Sequence, residues 1–175
     1  MPFKLSLTSI IAWCVTIAQR ILKPSNIKSP QVHKINQAGI DLIKKSEGCR
    51  LVVYKDIVGK PTVGYGHMSE RMVVGSKITQ EDADKLLEQD LIAAESAVTN
   101  NVKAPLSENQ FAALVSFVFN LGAGALIKST LLVKLNSKDY LSCAEEFQKW
   151  NHAGGAVVED LTRRRLAEAE LFKKV

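Results

Sequence analysis

The run Glu47-Gly48-Cys49-Arg50-Leu51-Val52-Val53-Tyr54-Lys55-Asp56-Ile57-Val58-Gly59-Lys60-Pro61-Thr62-Val63-Gly64-Tyr65-Gly66-His67 decides how the chain is read. Just before it, Asn36 can cap a helix running to about Lys45, with Ile40 and Ile43 on one face and Gly48 as a stop. Glu47 then sits at the C-terminal end of that helix, where unsatisfied carbonyls disfavour a carboxylate and help keep a proton in place. Arg50–Tyr54 and Pro61–Gly66 are short β-rich runs joined by the turn-like Lys55–Lys60, which predicts a hairpin that returns Asp56 toward the helix end. In such a polar turn an ionised carboxylate is comfortable. Thr62 opens the second strand and offers a hydroxyl that can orient a water. Two carboxyls in contrasting environments, one holding a proton and one not, are what hydrolysis of a glycosidic bond requires.

Outward from this run the chain turns helical. Thr79-Gln80-Glu81-Asp82 has the form of a capping box, and Ala83, Leu86, Leu87, Leu91, Ala94 and Val98 follow at helical spacing. The helix predicted there, about 80–99, is long enough to bridge two lobes. Ser107-Glu108-Asn109-Gln110 is a second box, followed by the apolar face of Phe111, Leu114, Val115, Val118 and Phe119. Asn120-Leu121-Gly122-Ala123-Gly124 breaks that helix, and further helices are expected at Ser129–Leu135, Asp139–Trp150 and Asp160–Lys173. The fold class is α+β and predominantly helical. It comprises a small β-hairpin lobe over about 35–78, a connecting helix, and a larger helical lobe over about 100–175.

Glu47-Gly48-x-Arg50, Tyr54-x-Asp56 and Thr62-x-Gly64-x-Gly66-His67 together resemble the N-terminal signature of glycoside hydrolase family 24, the phage lysozymes. Phe119-Asn120-Leu121-Gly122 resembles the helix-break element of that family. Ser129-Thr130-Leu131-Leu132, Trp150 and Leu161-Thr162-Arg163-Arg164-Arg165-x-x-Glu168 resemble its C-terminal elements. The likeness spans about residues 35–173. It implies a two-lobed lysozyme-like fold and hydrolysis of the β-1,4 bond between N-acetylmuramic acid and N-acetylglucosamine in peptidoglycan, with host cell lysis as the outcome. By the same resemblance, Glu47 is the proton donor, Asp56 acts on an attacking water or on the developing sugar cation, and Thr62 places that water. Arg164, with Arg163 as the other candidate, steadies Glu47. His67 is a lobe-stabilising hydrogen-bond partner, and Asn120 contacts glycan. No metal and no cofactor are expected, because acid–base chemistry on an acetal is self-sufficient. If the two carboxyls stand roughly 6.5–9.5 Å apart, the anomeric centre should be inverted.

The formal net charge is +5, but residues 1–24 hold Lys4, Arg20 and Lys23 and no acid; without them the 23 basic side chains fall to 20 against 18 acidic. The body is thus only mildly cationic, which suits an anionic wall polymer and not nucleic acid. Leu5–Gln19 is uncharged, and as a helix it reaches about 22 Å, short of a hydrocarbon core of about 30 Å. Residues 1–24 therefore read as an export or anchor segment, with 25–34 as a linker, although a buried core helix is the alternative. An anchor before a lysozyme body also resembles signal-arrest-release endolysins. That resemblance implies a monomer held on the periplasmic side of the host inner membrane through residues 5–19. It would then be freed into the periplasm when the membrane is depolarised, with a holin as indirect partner. Simple export and a permanent tether stay open. Of the three cysteines, Cys14 and Cys49 either pair in an oxidising periplasm or stay free, and Cys143 is expected to be a buried thiol. Rival readings are a lytic transglycosylase, which works with a single Glu, and a non-catalytic wall-binding module.

Overall fold

A computed structural model describes residues 33–174; the apolar stretch at 5–19, most of the linker and Cys14 lie outside the described residues. The first element is α1 (Gln37–Glu47), opened by Asn36, whose side-chain oxygen accepts the Gly39 N–H at 3.1 Å. It closes at Gly48, where φ is +67° and the N–H returns to the Lys44 carbonyl at 3.1 Å. Only a residue at ease in the left-handed region ends a helix this way at no steric cost. The helix therefore stops with Glu47 as its last residue.

The hairpin follows as β1 (Arg50–Lys55) and β2 (Pro61–Gly64), antiparallel with Tyr54 opposite Thr62 and Lys55 opposite Pro61. A third strand, β3 (His67–Met68), pairs with β2 after the Tyr65-Gly66 turn. The outer edge of β1 is covered by backbone bonds from the 75–78 segment: Val53 N–H to the Ser76 carbonyl, and the Gly75 and Ile78 N–H groups to the Val53 and Leu51 carbonyls, each at 2.9 Å. Edge groups satisfied by the chain's own backbone are closed to strand addition from outside.

Thr79 and Asp82 form the reciprocal capping box that starts α2 (Gln80–Asn101), a 22-residue helix that spans about 33 Å. Ser107 and Gln110 do the same for α3 (Glu108–Leu121). Every residue from Gln110 to Val118 is buried, so α3 is the central rod of the helical lobe, packed against α1, α2 and the last helix. Around it run α4 (Ala123–Lys128), α5 (Thr130–Asn136, capped by Ser129), α6 (Tyr140–Glu146, capped by Asp139), a 3₁₀ turn at Phe147–Lys149 and α7 (Glu159–Lys173). Cys143 is fully buried, and burial pushes its thiol up to about 12. No helix among the described residues is long and apolar enough to cross a membrane.

The structure departs from expectation at small elements. β3 and the hairpin β4 (His152–Ala153) with β5 (Ala156–Val157) are two-residue strands, too short to leave an alternating pattern. α4 arises inside the stretch read as a break, because Gly122 ends one helix and starts the next. The helix expected over Asp139–Trp150 is α6 plus the 3₁₀ turn, and α2 runs to Asn101 rather than 99.

Gly39 sits where α1 meets α3. A Cβ there would lie 2.7 Å from the Ala112 Cβ and 2.7 Å from Ile35 Cγ1. Gly39→Ala would gain about 1 kcal/mol of helix propensity and lose about 1–3 kcal/mol to overpacking. The Ala112 Cβ cannot swing aside, so overpacking should win. A lower urea midpoint is the expected result, and an unchanged or higher one would mean that α1 can slide off α3.

Candidate active site

Glu47 projects from the end of α1 into the wall of a groove of about 470 Å³, shared with Tyr65, Met68, Asp90, Phe119 and Asn120. A second hollow of about 430 Å³ also includes Glu47 and Asn120, together with Lys45, Asp160, Arg163 and Arg164. Glu47 and Asn120 thus stand between two depressions. The Glu47 side chain is 24% exposed, open enough to meet a ligand while held from behind.

What holds it is Arg164, whose Nη1 donates to Glu47 Oε1 at 2.5 Å across 117 residues of sequence. Arg164 is itself buried and is pinned by its Nε to Glu168 Oε1 at 3.3 Å and by its Nη2 to the Ser116 carbonyl at 3.3 Å. Arg163, the other sequence candidate, points out to Glu159 and Asp160 on the surface of α7. The sequence pointed to the carbonyl end of α1 beside Glu47; the structure adds a buried guanidinium in direct contact with it.

Asp56 occupies the first position of the 56–60 turn. Its Oδ1 accepts the Val58 and Lys60 N–H groups at 2.9 and 2.8 Å, and its own N–H donates to the Lys60 carbonyl at 2.9 Å. The turn leaves Oδ2 without a partner among the described residues. Thr62, buried on β2, donates its hydroxyl to that same Lys60 carbonyl at 3.1 Å. One carbonyl thereby ties Asp56 and Thr62 together, and with its proton committed the Thr62 oxygen can only accept further bonds. Neither residue lines the two hollows around Glu47.

His67 lies on β3 with its Nδ1 3.0 Å from both Asp90 carboxylate oxygens, linking the hairpin lobe to α2. A second link gathers Lys44, Tyr65, Gln80 and Asp84. The Asp84 carboxylate meets Lys44 Nζ at 2.8 Å and the Tyr65 hydroxyl at 3.0 Å. The Lys44 ammonium holds the Asp84 carboxyl below the usual carboxylate range, and Asp84 in turn raises Lys44. Cys49 is exposed, with its Sγ 3.8 Å from Gln80 Oε1. Asn120 Oδ1 accepts from Arg165 Nη2 at 3.1 Å.

Three residues that sequence reasoning left without roles stand behind the groove: Ser116, Arg165 and Glu168. The signal was present in α7. Arg164, Arg165 and Glu168 share a face with Ala169 and Phe172, and charges on the apolar face of an amphipathic helix must find partners inside. Among the described residues no group of three His, Cys, Asp or Glu is placed to hold a metal ion.

The family model described as phage lysozyme matches residues 44–168. An endolysin of Acyrthosiphon pisum secondary endosymbiont phage 1 is 40% identical over 143 residues, covering 79% of this chain and 97% of that protein. An endolysin of Bacillus phage B103 is 43% identical over 140 residues; the match covers 79% of this chain, but the chain spans only 53% of that relative's length. A SAR-endolysin of bacteriophage PS119 is 37% identical over 125 residues, covering 71% of this chain and 75% of that protein. Among solved structures, the muramidase domain of SpmX from Asticaccaulis excentricus superposes with a TM-score of 0.77 at 39% identity, covering 82% of this chain and 99% of that one. A P22 lysozyme mutant does so with a TM-score of 0.72 at 38% identity, covering 79% and 97%.

Proposed function

Because the chain belongs to the phage lysozyme family, we propose that it is an endolysin that hydrolyses the β-1,4 bond between N-acetylmuramic acid and N-acetylglucosamine in peptidoglycan. Glu47 is the general acid. Arg164 engages its Oε1, which leaves Oε2 to carry the proton to the glycosidic oxygen as the bond breaks. Asp56 is the second carboxylate. Its Oδ1 is anchored by the turn, so Oδ2 is the oxygen that takes a proton from the attacking water or faces the developing sugar cation. Thr62 accepts a hydrogen from that water, its own proton being held by the Lys60 carbonyl. The observation that carries this reading is the Arg164–Glu47 contact. A buried guanidinium from the far end of the chain holds one exposed carboxyl at the meeting of two hollows.

SAR-endolysin relatives support a finer reading in which residues 5–19 tether the enzyme to the host inner membrane on its periplasmic side. Depolarisation by a holin would then release it to the periplasm.

The chemistry is tested by digesting purified sacculi and analysing the products by mass spectrometry. Products with reducing muramic ends are expected, with water added across every cut bond. Anhydro-muramic ends would replace hydrolysis by transglycosylation and remove the need for Asp56. Asp56→Asn should lower the rate of reducing-end formation by about 10²-fold or more, and a native rate would strike Asp56 from the mechanism.

A further inference from the structure

We infer that Glu168 is a positioning residue of this active site, setting through Arg164 and Arg165 where Glu47 and Asn120 stand in the groove. The inference rests on the reading of Glu47 as the acid. Glu168 is fully buried, and its Oε1 gathers three donors: Ser116 Oγ at 2.8 Å, Arg165 Nη2 at 2.8 Å and Arg164 Nε at 3.3 Å. Each arginine then reaches on to a residue of the groove wall. Arg164 Nη1 goes to Glu47 Oε1 at 2.5 Å, and Arg165 Nη2 goes to Asn120 Oδ1 at 3.1 Å.

The rigidity of the guanidinium makes this an aiming device. Its five N–H bonds lie in one plane with fixed angles. Arg164 is held at Nε by Glu168 and at Nη2 by the Ser116 carbonyl, so the direction of Nη1, and with it Glu47, is determined. Arg165 is fixed against the Phe117 ring, with its guanidinium carbon 5.2 Å from the ring centroid. Stability alone gives no reason for the cluster. Arg165 Nε and Nη1 and Glu168 Oε2 are buried without hydrogen-bond partners among the described residues, and burial pushes the Glu168 carboxyl up and the Arg165 guanidinium down. Replacing buried ionic sets of this kind with well-packed apolar residues is often neutral or stabilising. Apolar residues could fill the space, but they could not orient Glu47 and Asn120.

The test measures kcat and KM on solubilised glycan strands, corrected for the folded fraction by circular dichroism. It uses Glu168→Gln, Ser116→Ala and the control Leu171→Ala, a destabilising change at a buried residue of the same helix whose side chain makes no hydrogen bond or ion pair. Glu168→Gln is expected to lower kcat by about tenfold to 10²-fold, the scale of a sub-ångström to 1 Å misplacement. KM should move far less. Ser116→Ala, which removes one of the three donors, should give a smaller fall of the same kind and serves alone if Glu168→Gln does not fold. Leu171→Ala should match the native chain per folded molecule. A native kcat in Glu168→Gln, or in Ser116→Ala where only it folds, would overturn the inference. A Glu47→Gln chain that still hydrolyses glycan would instead overturn the reading on which it rests.

Discussion

Glu47→Gln is expected to abolish lysis of outer-membrane-stripped cells while leaving the fold intact. The amide fills the same space and its oxygen can still accept from Arg164 Nη1, so the contact that anchors α1 to α7 survives in neutral form. The buried Arg164 keeps Glu168 as its charged partner, so the change leaves no guanidinium without a carboxylate. What is lost is the transferable proton. Without protonation the departing sugar oxygen must leave as an alkoxide, and a positioned general acid contributes about 10²–10⁴-fold to such a step. Turbidity should therefore fall about 10³-fold more slowly or not at all, with an unchanged thermal midpoint. Lysis at a tenth of the native rate or better would show that another group supplies the proton. The comparison with Asp56→Asn is informative in itself: that change removes the charge or base rather than the acid, while its amide oxygen can still accept from the Val58 and Lys60 N–H groups.

Phe117→Ala should be the most damaging single truncation in the helical lobe. Phe117 is fully buried on α3 and makes edge-to-face contacts with Phe147 at 5.7 Å and Trp150 at 5.4 Å. Removing a buried phenyl ring costs about 3–5 kcal/mol, and the two aromatic pairs add about 0.5–1.5 kcal/mol each. Set against a total stability of about 5–15 kcal/mol, this leaves a chain close to unfolding at physiological temperature. Urea titration should show a sharply lower midpoint with the slope preserved. A loss under about 1 kcal/mol would mean that Phe147, Trp150 and Phe172 close over the gap, contrary to the limited relaxation of close-packed interiors. Phe117 also supports the Arg165 guanidinium, so the folded fraction of this variant should hold Asn120 less firmly.

Much of the fold was legible because the signals are local. Asn36, Thr79 and Ser107 start their helices through bonds to residues three positions on, and Gly48 stops α1 through its own backbone conformation. The same local logic placed Glu47 at a helix end and Asp56 in a turn, where the structure has them, while their catalytic roles came from the resemblance to phage lysozymes. The small strands and α4 escaped because elements of two to six residues carry no periodicity to read.

The order of residues by itself determined where helices begin and end, and which carboxyls occupy a helix terminus and a hairpin turn, since each depends on atoms within about four positions along the backbone. Only the tertiary structure decided that Arg164 rather than its neighbour Arg163 meets Glu47, and that Glu168 gathers both arginines beneath the groove. Adjacent residues on a helix point about 100° apart. Which of them turns inward depends on where α1 and α3 lie against α7, and that placement arises from packing between segments joined by contacts 117 and 52 residues apart in the chain.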